Sequence, residues 1–230
     1  MRLEEQGRSS SVPEILERLP DREWSWALEE FEFWNEPPTV RLHPSGCSTR
    51  EPVETGDGPF FVVVDGDLTT SGPCELWTQE YTPGVVVVTG DLNASVLSFG
   101  NNTRAFVKGD VRVTGACVGQ YGDHNAMLDI DGELSARALL MDPYTSARAG
   151  AGVRALIYGG DWDHLRPDIV NDGVGDDSRF FRPELLRHTE TGPRLSLSTA
   201  LRVAYEGEDL FLPGVEERFP ARLLPRRDAG

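Results

Sequence analysis

The sequence predicts a mainly β protein: a right-handed parallel β-solenoid over residues 59–160, an N-terminal helical cap over 1–58 and a mixed segment over 161–230. Three observations predict it. One phrase (β-branched, polar, Gly, acid, aliphatic) occurs four times, as Val64-Asp65-Gly66-Asp67-Leu68, Val88-Thr89-Gly90-Asp91-Leu92, Val107-Lys108-Gly109-Asp110-Val111 and Ile130-Asp131-Gly132-Glu133-Leu134. Its glycines stand 24, 19 and 23 residues apart, a loose period of one solenoid coil without the strict hexapeptide rhythm of a left-handed β-helix. Apolar groups flank the phrase, Val85 to Val88 before the second and Val96-Leu97 after it, so each coil holds at least two strands. An antiparallel sandwich also places short strands every 8 to 12 residues or about that, yet it needs no recurring Gly-acid-aliphatic corner.

Taken in order, the chain opens with a capping-box pattern, Ser11 and Glu14, followed by Ile15, Leu16 and Leu19 on one helix face and a stop at Pro20. Asp21 can cap a second helix in which Trp24, Leu28 and Phe31 share a face. The aromatic residues Trp24, Trp26, Phe31, Phe33 and Trp34 read as a cover for the open end of the solenoid, or as a partner-binding patch. Within the solenoid, Gly at the corner permits a bend that a Cβ would resist. Stacking buries what a single coil leaves bare. Three unequal inserts, Ser71 to Gly84, Phe99 to Arg104 and Gly119 to Asn125, project from its edges and belong to any binding face. Beyond Tyr158 a Gly/Asp-rich stretch runs to Asp177, Arg182 to Leu186 starts a short helix, and Leu195 to Tyr205 fits either a strand or a helix.

Composition narrows the function classes. The formal net charge is −16 and every third of the chain is acidic, which repels phosphate backbones and anionic lipid and steers in a basic protein. No apolar run approaches the roughly 18 residues of a membrane span, and the polar, acidic start lacks a secretory h-region; we expect a cytoplasmic protein. Cys47, Cys74 and Cys117 form neither a disulfide framework nor a zinc cluster and read as reduced thiols.

Chemistry-bearing patterns are sparse. Asp161, Asp163 and His164, with Asp172, Asp176 and Asp177, could hold calcium, but their spacing fits neither the EF-hand loop nor a repeated calcium-binding nonapeptide, so no metal and no cofactor are expected. Asp67, Asp91, Asp110 and Glu133 form a ladder that superficially resembles the paired carboxylates of a glycosidase and is more simply a turn requirement. No P-loop, GxSxG or HExxH is present, and no catalytic residue is expected. The partner-binding candidates are Trp77, Tyr81, Tyr121, Asp123 and His124 in the projecting loops, and Asp161, Trp162 and Asp163 after the solenoid.

The Val-x-Gly-Asp-Leu phrases, together with Tyr158-Gly159-Gly160-Asp161-Trp162-Asp163-His164, resemble a group of bacterial β-solenoid proteins labelled polymer-forming and, more distantly, the bactofilins, over roughly Phe60 to Leu186. The resemblance implies a right-handed β-helix and, for bactofilins, end-to-end polymerisation. Unequal coils and the long segment after the solenoid depart from that pattern. The expectation carried forward is a non-catalytic module that sequesters another, basic protein, in its most specific form an immunity protein for a polymorphic bacterial toxin. The alternatives are a bactofilin-like scaffold and a carbohydrate-active β-helix enzyme.

Overall fold

The computed structural model describes residues 1–19, 23–34, 36–121, 126–159, 167–170, 176–220 and the backbone of 223–224. Parallel strands stack into a β-solenoid of about six turns. The first face is the ladder Thr39–His43, Phe60–Val64, Gly84–Val88, Thr103–Val107, Met127–Ile130 and Ser146–Ala149. A second face runs through Cys47–Thr49, Leu68–Thr70, Leu92–Ala94, Val111–Val113 and the first halves of Glu133–Met141 and Gly152–Gly159. The third face runs through Val53–Glu54, Cys74–Leu76, Leu97–Gly100, Ala116–Gln120 and the second halves of the same two long strands.

Alternation along each strand sends one set of side chains inward, and the coils share one interior. Val62, Val64, Val86, Val88, Leu68, Leu92, Leu134, Leu97 and Leu139 belong to that single core, all fully buried. The outward sets have different fates on the three faces. Phe61, Val63, Val85, Val87 and Phe106 on the first face are covered by Ile15 of α1 (Val12–Arg18) and by Trp24 and Ala27 at the 3₁₀ segment Ser25–Phe33. On the third face, Val118, Leu140, Leu156 and Tyr158 are covered by the C-terminal layer, including Ala200 and Leu201 of α2 (Leu197–Tyr205) and Val215 of α3 (Val215–Arg218). The second face keeps a polar outward row, Ser48, Thr69, Asn93, Arg112, Ser135 and Arg154, and none of these is buried.

Ser11 caps α1 as its pattern predicts, its hydroxyl accepting the Glu14 N–H at 3.4 Å. The helices, however, lie against the side of the first face rather than over the open end. The N-terminal end is covered instead by the residues that precede them: Leu3 joins the core, its N–H bonds Glu54 at 2.8 Å, and Arg8–Ser9 adds an antiparallel strand to Thr39–His43. The ladder also begins at Thr39, one coil before the first phrase. At the other end, Ile169–Val170 extends the third face and Leu223–Leu224 lies antiparallel on the second. Leu195 to Tyr205 resolves as the end of a hairpin strand followed by α2, capped by Ser196. Arg182 to Leu186 contains only a 3₁₀ turn, Pro183–Leu185. Among the described residues no helix is long and apolar enough to cross a membrane.

The four corner glycines fall into one column. Gly90, Gly109 and Gly132 each donate their N–H to the glycine carbonyl of the coil before, at 3.0, 3.0 and 3.1 Å. The physical reason differs from the bend expected of them. Only Gly66 of the four has a left-handed backbone, φ 127°. For the others space decides: a Cβ on Gly90, Gly109 or Gly132 would fall 2.1, 2.2 and 2.2 Å from Oδ1 of Asp67, Asp91 and Asp110. Those same Oδ1 atoms accept the N–H of Asp91, Asp110 and Glu133, each at 2.8 Å. Gly and acid are therefore two halves of one contact, in which the acid of one coil fills the space left by the missing side chain of the next.

Candidate functional site

The corner between the third and first faces carries the inserts, and here the chain departs from simple stacking. Tyr81, Asn101 and Tyr121 all take left-handed backbones, with φ of 62°, 50° and 55°, a region that side chains with a Cβ rarely enter. Local bonds fix the last two. Asn101 donates its side-chain N–H to the Thr78 carbonyl at 2.5 Å and its backbone N–H to the Tyr121 carbonyl at 3.0 Å. Asp142 braces two tyrosines at once, Oδ2 accepting the Tyr121 N–H at 2.6 Å and Oδ1 the Tyr144 N–H at 2.9 Å. The outcome is three exposed rings held on tight turns: Tyr81, Tyr121 and Tyr144 are 63%, 58% and 51% accessible.

Between this corner and the C-terminal layer lies a cleft of about 650 Å³. One wall is made by Glu80, Asn101, Gln120, Tyr121 and Asp142 to Tyr144. The opposite wall is Arg187 of the hairpin strand Leu186–Thr189 and the approach to α2, Leu195 to Ser198. The Ser196 hydroxyl accepts the Thr199 N–H at 3.4 Å, which occupies one donor of the first turn. Gln120 leaves the outer side of the third face and is 96% buried by the same layer, since 4% remains accessible.

Trp77 supports the corner from beneath. Its Nε1–H donates to Ser98 Oγ at 2.9 Å, Ser98 meets the Tyr205 hydroxyl at 2.9 Å, and the indole stands edge-on to Tyr121 at 6.0 Å. Burial pushes the Tyr205 hydroxyl well above the usual phenol range. Behind the cleft, buried Asp177 accepts from the Tyr158 hydroxyl at 2.7 Å and the Leu195 N–H at 2.8 Å, with Arg194 Nε at 3.6 Å. Burial is also the main cause that pushes Tyr158 upward, and Asp177 adds to it.

Of the residues singled out from sequence, Trp77 and Tyr121 meet at this corner, Trp77 half-buried and largely a support, and Tyr81 stands exposed next to the cleft-lining Glu80. Asp123, His124, Asp161, Trp162, Asp163, His164 and Asp172 lie outside the described residues. Asp176 caps the turn at Ser178, and Asp177 is occupied as above; among the described residues no group of three or more His, Cys, Asp or Glu is placed to hold a metal. The acid ladder is likewise engaged. Arg112 pairs with both Asp91 and Asp110, and Arg154 bonds Glu133 at 2.8 Å. Hydrogen bonding from Arg112 first, then from the Asp110 N–H, lowers Asp91 below the usual carboxylate range. Gln120, Asp142, Tyr144 and Arg187 were not singled out by sequence reasoning. The signal for two of them was the run Asp142-Pro143-Tyr144, one coil after Tyr121, at the same corner.

Comparison with known proteins gives no family model, no curated relative and no solved structure that matches this chain.

Proposed function

We propose that this protein is a non-catalytic binding module that sequesters a basic partner protein in the cleft between the tyrosine corner and the C-terminal layer. The observation that carries the reading is a lateral cleft edged by braced, exposed tyrosines on a body of net charge −16. Exposed aromatic anchors in a concave site, surrounded by like-signed charge, are what a protein interface needs for affinity and for steering. In its most specific form the module is a cytoplasmic immunity protein that neutralises a polymorphic bacterial toxin. The winding is taken as right-handed, the rule for parallel crossovers.

A bactofilin-type scaffold would stack end on end and needs bare coil edges, whereas Leu3 and Arg8–Ser9 cover the first coil. A carbohydrate-active enzyme needs free convergent carboxylates, and the ladder acids are each spent on a neighbouring corner or an arginine. Co-expression with the product of the adjacent gene tests the proposal. Growth should be restored by the wild-type chain and restored less by Tyr144→Ala. Toxicity unchanged by co-expression would sink it.

A further inference from the structure

Resting on that reading, the cleft's chemistry narrows what the partner inserts. Glu80 and Asp142 against Arg187 leave one negative charge in the lining. The carboxylate oxygens of Asp142 each accept one backbone N–H and retain lone pairs for more. Gln120 adds a neutral polar group to the lining. It is a polar side chain 96% buried, lining the cleft, and its amide has no hydrogen-bond partner among the described residues. The atoms of this amide are not sealed from solvent, so a donor entering the cleft can bond its oxygen. The neighbouring aromatic residues of the lining are Tyr121 and Tyr144, both more than half exposed.

A ring, a carboxylate and an amide oxygen together describe a planar, cationic, multiply donating group. The chain already builds such a site for itself: the Arg104 guanidinium lies 4.6 Å from the Trp26 ring and pairs with Glu30. An ammonium fits less well, because it is a point charge that neither stacks nor forks.

We propose that the cleft receives an arginine side chain of the basic partner, its guanidinium against Tyr121 and Tyr144 and hydrogen-bonded to Glu80 and Gln120. Arg187, on the hairpin wall, is then a like charge that weakens binding. This sign separates a cationic occupant from an anionic one.

The test is titration of the full chain at low salt with a terminally blocked Gly-Arg-Gly peptide, its citrulline counterpart and its lysine counterpart. The arginine peptide should saturate with a Kd near the millimolar range, and citrulline, uncharged but of the same shape, should bind about tenfold more weakly. Glu80→Gln should weaken the arginine peptide several-fold, Gln120→Leu likewise, and Arg187→Gln should tighten it. Glu80 and Arg187 are exposed, so those two variants leave packing intact. Equal binding of arginine and citrulline, weaker binding in Arg187→Gln, or no saturable binding of the arginine peptide overturns the inference. Rescue in co-expression without arginine preference would keep the protein-binding reading and remove only this step.

Discussion

At the scale of single residues, the corner phrase is a contact rule between coils. Asp67, Asp91 and Asp110 bond the next corner's N–H through the space that glycine leaves open. Gly109→Ala sets a Cβ 2.2 Å from Asp91 Oδ1 and 2.7 Å from the Gly90 carbonyl oxygen, so the coils must part locally. We expect a loss of about 1–3 kcal/mol in urea unfolding. Adding Asp91→Ala should recover only part of it, because the Gly90 carbonyl remains. The thiols give a second check. Cys74 and Cys117 are fully buried, and burial pushes both thiols up, Cys117 to about 12. A thiol reagent should modify Cys47 alone in the native protein and all three cysteines after denaturation. Rapid modification of Cys117 in native buffer would place it outside the core.

The elements that cover the solenoid explain which parts of the fold were legible. The phrase announced the inner coils because each needs both its glycine and its acid. It fades at the ends for the same reason. In the last coil Ala151 stands at the glycine position, its N–H on the Gly132 carbonyl at 3.0 Å, and Glu133 beneath it reaches out to Arg154. In the first coil the register sets Ser45 where the phrase has its glycine and Gly46 where it has its acid, so the coil from Thr39 to Glu54 carried no signature. The flanking layers were harder still. Phe61, Val63, Val85 and Val87 read as one continuous apolar strand set, and alternation could not reveal that a second layer covers their outward half. The tyrosine corner was legible as loops rich in aromatics, whereas its far wall comes from residues 187–198, brought there only by tertiary packing.

That wall is fastened by Asp177, a buried carboxylate that holds Tyr158 of the last coil and Leu195 of the hairpin. Asp177→Ala leaves Arg194 buried beside a lost partner and should destabilise the C-terminal layer by about 3–5 kcal/mol. Hydrogen exchange should show 183–218 opening while the inner coils stay protected. Uniform loss of protection would mean that layer and solenoid unfold as one unit.

For the whole molecule, the proposed function depends on where strand edges are closed. A parallel solenoid presents unpaired edges at both ends and polymerises wherever identical edges meet. Here the first coil carries Leu3, the Arg2–Glu54 bridge and Arg8–Ser9, and the last is paired by Ile169–Val170 and Leu223–Leu224, so that among the described residues Cys47–Thr49 at one end and Ser146–Ala149, with its exposed Arg148, at the other lack an outer strand. On the proposed reading, ends covered on two of three faces leave binding to the flank, where the tyrosine corner and its cleft lie. Light scattering on the purified full chain across a wide concentration range tests this most directly. Closed ends give a small particle of fixed mass, 25.4 kDa or a low multiple of it. A mass that climbs steadily with concentration, or filaments that sediment, would mean that the coil ends are available after all and that the flank is not where this protein does its work.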